Sequence, residues 1–222
     1  LRGCSVDLLL PGTLFDRNGP VIGKTRWILF LAPLVILILL TVFWQESAAS
    51  LRGTVYEPPL PAADFSLIQA DGKPFRLSEQ RGKIVLLFFG YTSCPDVCPT
   101  TLAELSQAMK KLDEQERARV VVAFISVDPG RDTPERIQEY AQRFFPSFIG
   151  LSGTEAELQP IWSAYGVYRE VQSTNSAAGY LIAHSARVYL IDPQGNLYLT
   201  FPFGTRGEDI THDLKILLRR QK

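Results

Sequence analysis

Cysteine is scarce in this chain of 222 residues, with three in all. That is too few for a fold stapled by disulfides. Histidine is scarcer, at two, so a metal site here cannot be built from imidazoles alone. Excess charge of either sign is missing too, since 23 basic residues face 23 acidic ones. A nucleic-acid partner would call for a clustered basic surplus, and none is expected. No internal repeat is visible, which excludes a solenoid. What remains is a composition 46% apolar, enough for one globular domain plus an appendage.

The appendage is N-terminal. From Trp27 to Trp44 the chain is apolar except for Thr41. As a helix this run would extend roughly 27 Å, enough to span a bilayer. Its two tryptophans suit the two interfaces, and Pro33 is tolerable in a membrane helix. Arg17, Lys24 and Arg26 precede the run and Glu46 follows it. The positive-inside rule therefore predicts a single-pass anchor in the inner membrane, with its N-terminus cytoplasmic and the globular part on the periplasmic, extracytoplasmic side. Ser47-Ala48-Ala49 offers the alternative of signal-peptide cleavage, although the run is longer than an ordinary signal core. The expected organisation is thus a cytoplasmic segment without assigned structure (1–26), the anchor (27–44), a proline-bearing linker (45–62) and a globular domain (63–222). Cys4, in Leu1-Arg2-Gly3-Cys4, is read as a bystander.

Within the domain, Asp64–Ile68 and Pro74–Leu77 flank Asp71-Gly72, a hairpin signal. Lys83–Phe89 and Val120–Val127 are continuous apolar runs of the kind buried on both faces of a sheet. Helices are expected from Pro99 or Thr100 to about Glu116, from the Thr133-Pro134 cap to about Phe145, from the Thr154/Glu157 capping box to about Tyr165, and from Glu208 to Arg220. A short strand is expected at Phe148–Leu151. Val188–Ile191 and Leu197–Phe203 form a closing hairpin. This order predicts an α/β, thioredoxin-like fold, a mixed sheet with helices on both faces.

Chemistry concentrates where the first apolar strand turns into a helix, at Gly90-Tyr91-Thr92-Ser93-Cys94-Pro95-Asp96-Val97-Cys98-Pro99-Thr100. Helix N-termini favour thiolates. A C-x-x-x-C spacing differs from the C-x-x-C of thioredoxin-type redox proteins. Side chains four apart on a helix lie about 5 to 6 Å apart at Cβ, wider than the roughly 3.5 to 4.5 Å of a disulfide. The spacing suits a metal chelate at least as well as a disulfide, and both stay open. A chelate needs a third ligand. His184 is the candidate, at the loop entering the strand Ala186–Ile191, whereas His212 reads as a solvated surface residue beside Asp213. Soft thiolates with an imidazole suit copper, and an open Cys2His zinc site has the same ligand count.

The cysteine turn, Ser126-Val127-Asp128-Pro129 with Arg131-Asp132-Thr133-Pro134, and Tyr180-Leu181-Ile182-Ala183-His184-Ser185 together resemble the Sco/SenC copper proteins, over about Ala63–Leu218 and the anchor. The resemblance implies a thioredoxin fold facing the periplasm or intermembrane space. It implies copper, as Cu(I) or Cu(II), held by Cys94, Cys98 and His184. It implies a copper-chaperone role rather than an enzyme's, serving the binuclear copper centre of cytochrome c oxidase, with the copper-bearing subunit or another respiratory copper protein as partner. Many members carry Asp before the histidine, where this chain has Ala183. Asp128 is a candidate outer partner of the metal site, with an ordinary strand-ending turn as its other reading.

The competing function is an exported thiol-disulfide oxidoreductase using Cys94 and Cys98 as its redox pair. Such reductases place a proline opposite the cysteines, and none stands between Ala177 and Ile191. A peroxidase would require a Pro-x-x-x-Thr-x-x-Cys pattern, which does not precede these cysteines.

Overall fold

The computed structural model describes residues 50–173 and 179–220, together with Ile36. The expected anchor, apart from Ile36, lies outside the described residues, as does Cys4. The description below concerns the unit that begins at Leu51.

The domain is organised on β4 (Ile84–Gly90), in which every residue is buried. It pairs in parallel with β5 (Val120–Ser126), which pairs in parallel with β6 (Ile149–Leu151). On its other side it pairs antiparallel with β9 (Arg187–Ile191), which pairs with β10 (Asn196–Pro202) and through it with β1 (Thr54–Pro61). The order β1-β10-β9-β4-β5-β6 is a mixed six-stranded sheet. A strand with neighbours on both sides and helices above and below must be apolar at every position, which accounts for the unbroken run in β4.

Successive residues of β4 point to opposite faces. Phe88 stacks on Phe124, which meets Tyr140 of α3 (Pro134–Phe144). On the same side α1 (Val97–Lys110) packs against α3 and against α5 (Gly207–Arg219). Phe89 points the other way, to Tyr189 of β9 and to Tyr165 just beyond the end of α4 (Glu155–Ala164). There the Trp162 indole donates to the carbonyl of Ser126 at 3.0 Å. Two small antiparallel pairs complete the described strands: β2 (Ser66–Ile68) with β3 (Pro74–Arg76), and β7 (Arg169–Ser173) with β8 (Tyr180–His184). Gly72, at φ +81°, supplies the left-handed turn residue between β2 and β3.

Three expectations are corrected. The linker 45–62 does not run to the domain edge, because Thr54–Pro61 is strand β1, paired with β10. Its prolines are accommodated because it is an edge strand whose register shifts between Val55 and Leu60. The helix predicted to reach Glu116 stops at Lys110, and a second short helix, α2 (Glu114–Ala118), begins where the Asp113 carboxylate and Glu116 side chain form a reciprocal capping box. His184 is not in a loop but ends β8.

Candidate metal centre

Cys94 sits in the turn after β4 and Cys98 in the first turn of α1, which starts at Val97 rather than at Pro99. Proline fits that first turn because its missing N–H would have no helical partner there. The cysteines are free thiols; Cys94 is half-buried and Cys98 buried. The Cys98 amide donates to Cys94 Sγ at 3.4 Å. Gly90, ending β4, lets α1 approach: a Cβ there would stand 2.7 Å from Cys98 Sγ.

His184 arrives from β8 and brings Nε2 to 3.5 Å from Cys98 Sγ. Its Nδ1 lies 3.1 Å from the carbonyl of Ser185. A carbonyl can only accept, so this bond puts the proton on Nδ1 and leaves the Nε2 lone pair facing the thiols. The Tyr91 ring packs edge-on against the imidazole, with centroids 5.8 Å apart. The donor atoms of Cys94, Cys98 and His184 all lie within 4.8 Å of one another. An ion with two thiolates at about 2.3 Å and one imidazole at about 2.0 Å, in trigonal array, needs S···N near 3.7 Å and S···S near 4.0 Å. The set therefore fits a soft ion with little rearrangement. Among the described residues it is the one cluster of Cys, His, Asp or Glu close enough to hold a metal.

The two thiols differ in acidity. Hydrogen bonding from the Cys98 thiol, then from the Cys98 and Asp96 amides, holds Cys94 down at about 4 against the opposing effect of burial. Burial pushes Cys98 upward, and the neighbouring Cys94 charge adds to that. One thiolate is ready for a metal, while the second proton leaves when the ion enters.

A polar frame holds this arrangement. The Asp132 carboxylate, buried, accepts from the Thr92 hydroxyl at 2.6 Å, from the Thr92 amide and from the Ser126 hydroxyl at 2.8 Å. It ties the cysteine turn to the end of β5. Asp128 is also buried, but its oxygens are taken by Arg131 Nε and by the Tyr180 hydroxyl at 2.7 Å, which places it under β8 and not beside the thiols. Residue-type reasoning singled out Asp128 and passed over Asp132 and Tyr91. The compact Arg131-Asp132-Thr133-Pro134 run was the available signal. Ala183 lies opposite Glu170 in the β7–β8 ladder. His212 is partly buried and contacts Asp213 at 2.9 Å, so it is not the fully solvated residue expected.

The sequence model of the SCO1/SenC family matches residues 55–219. A SCO2-like protein of Rickettsia prowazekii is 34% identical over 78% of this chain and 85% of its own. The solution structure of apo Sco1 from Thermus thermophilus superposes with a TM-score of 0.69 at 39% identity, covering 76% of this chain and 97% of that one. ScoI of Bradyrhizobium japonicum with copper bound superposes at 0.64 with 37% identity, over 70% and 98%.

Proposed function

The chain belongs to the SCO1/SenC family, and from that premise we propose that Cys94, Cys98 and His184 bind copper for delivery to a respiratory copper protein, in the assembly of cytochrome c oxidase. We place the domain on the outer side of the cytoplasmic membrane, tethered by the 27–44 segment. The observation that carries the reading is the convergence of two thiols and one imidazole nitrogen within 4.8 Å. Support comes from relatives whose solved forms hold copper, such as the Bradyrhizobium japonicum protein. The membrane placement rests on the apolar run and the charges around it.

Copper is cargo here, and the residues divide the work of holding and releasing it. Cys98, buried against Gly90 and Phe124, is the fixed donor. Cys94, half-buried in the turn, is the thiolate that a partner's ligand reaches first. Three protein donors leave room for an entering ligand, so transfer proceeds by exchange without a bare ion. A competitive Cu(I) titration of the full chain tests this: one equivalent is bound, most affinity is lost in Cys94→Ala and in Cys98→Ala, and His184→Ala is clearly weakened. Unchanged affinity in the cysteine variants would sink the proposal.

A second reading is favoured by the acidity difference between the thiols. A low-pKa Cys94 beside a protonated Cys98 is also the arrangement of a dithiol reductant. Cys94 would attack a partner disulfide, Cys98 would then displace it, and the pair would end oxidised with the partner's two thiols free. Reduction of a disulfide substrate that persists in His184→Ala would favour this reading over copper delivery.

A further inference from the structure

The two halves of the metal centre are held in different ways. The cysteines are positioned by β4, the innermost strand of the main sheet, and by α1 packed upon it. His184 is at the end of a hairpin that shares no ladder with that sheet: β7 and β8 form a separate two-stranded pair. Side chains dock this pair onto the domain instead.

The dock is built around Arg131. Its guanidinium lies 3.7 Å from the Tyr180 ring centroid, and Nη1 donates to the Tyr180 carbonyl at 3.1 Å. Its Nε donates to Asp128, whose other oxygen accepts from the Tyr180 hydroxyl. One strand residue is thus gripped at its ring, its hydroxyl and its backbone. Two residues on, the Ile182 amide donates to the Tyr91 hydroxyl at 3.2 Å, and the Tyr91 ring itself lies under Arg131 and meets the His184 imidazole edge-on. Arg169, opposite His184 in the ladder, donates to the Val127 carbonyl.

We propose that the Arg131–Asp128–Tyr180 triad is a latch that positions His184 over the cysteines, so that its integrity sets whether the centre has three ligands or two. Closed, it holds Nε2 at the thiols; open, the hairpin carries the imidazole away and leaves the ion on the cysteines, accessible to an entering ligand. The inference rests on the copper reading for its consequence, but not for the latch itself. Arg suits the role because a planar guanidinium can stack and bond in its plane at once, which a lysine ammonium cannot.

The test compares Arg131→Ala, Arg131→Lys and Tyr180→Phe in the full chain. In metal-free protein, amide exchange at Ile182 should quicken about tenfold in Arg131→Ala and less in Tyr180→Phe, which keeps the stacked ring, while β4 and β9 exchange as in wild type. With Cu(II) loaded, Arg131→Ala should keep the thiolate-to-copper absorption and lose the imidazole nitrogen coupling in its paramagnetic resonance spectrum. Copper affinity should fall about 10- to 100-fold, with Arg131→Lys giving little rescue. Wild-type Ile182 exchange together with wild-type nitrogen coupling in Arg131→Ala would overturn the latch. Should that variant not fold, unchanged values in Tyr180→Phe overturn it equally. If wild type takes up no copper, the copper reading fails alone, and Ile182 exchange still decides the latch.

Discussion

Gly90→Ala probes how tightly the fixed donor is seated. The added methyl would stand 2.7 Å from Cys98 Sγ, 2.6 Å from Phe124 Cε2 and 3.1 Å from Phe124 Cζ. Ordinary contact between such atoms begins near 3.5 Å, so sulfur and ring must each retreat by about 0.8 to 0.9 Å. The ring has little freedom, because it is fully buried, stacked on Phe88 and tilted against Tyr140. The clash with the ring therefore stays with or without metal, while the sulfur moves, swinging away from strand β4. In metal-free protein this relieves the part of the overpacking that falls on the sulfur, a strain of about 1 to 3 kcal/mol. Copper binding draws the sulfur back, because ligand distances tolerate only about 0.2 Å, and the strain returns as lost affinity. A loss of about 1 to 3 kcal/mol corresponds to Kd weakened by about 5- to 150-fold. Cu(I) competition against a chromophoric chelator measures it, with urea unfolding of the metal-free protein as companion. A Kd within about twofold of wild type would refute the reasoning whatever the stability shows, since the helix would then have yielded in place of the sulfur.

Two further outcomes follow from the site and its surroundings. Because Cys94 is held down at about 4, its thiolate predominates at neutral pH. Its alkylation in the reduced, metal-free protein should stay nearly constant from pH 8 to about 5 and halve near 4, whereas an ordinary thiol slows about tenfold per unit below its pKa of about 8.5; the ordinary slope at Cys94, read by mass spectrometry, would contradict the geometry. Asp213, fully buried in α5, accepts the backbone amides of Arg52 and Gly53 at 2.8 to 3.0 Å. Asp213→Ala leaves those amides without their acceptor and should cost about 2 to 3 kcal/mol in urea unfolding, with copper affinity unchanged; a loss of affinity would mean that α5 influences the metal centre through α1.

Much of the sheet was legible because its central strands obey one rule. Ile84–Phe89 and Val120–Ile125 are apolar without alternation, and only doubly covered strands can be so. Thr133-Pro134 and Thr154 with Glu157 marked two helix starts correctly, since a cap is decided by neighbours within three residues. Asp113 with Glu116 carried the same local signal, overlooked inside a longer apolar periodicity. Strand β1 was hidden for the opposite reason. Its prolines read as a tether, and only pairing with β10 at the sheet edge makes the segment a strand.

The metal centre divides along the same line. Residue types and spacing by themselves determined the chemistry: two thiols four apart at a strand-to-helix turn, and a single histidine in a fitting motif, admit a soft ion or a dithiol and little else. Tertiary structure decided what each donor is. It buried Cys98 against Gly90 and Phe124, left Cys94 half-exposed and acidic, and moved His184 from an expected loop to the end of a separately docked hairpin. It also gave Asp132 to the cysteine turn and Asp128 to the hairpin, although the two lie four residues apart in one motif. Such assignments depend on contacts between segments 40 to 90 residues apart, as between Thr92 and Asp132 or Cys98 and His184, and no local pattern encodes a distance across that separation.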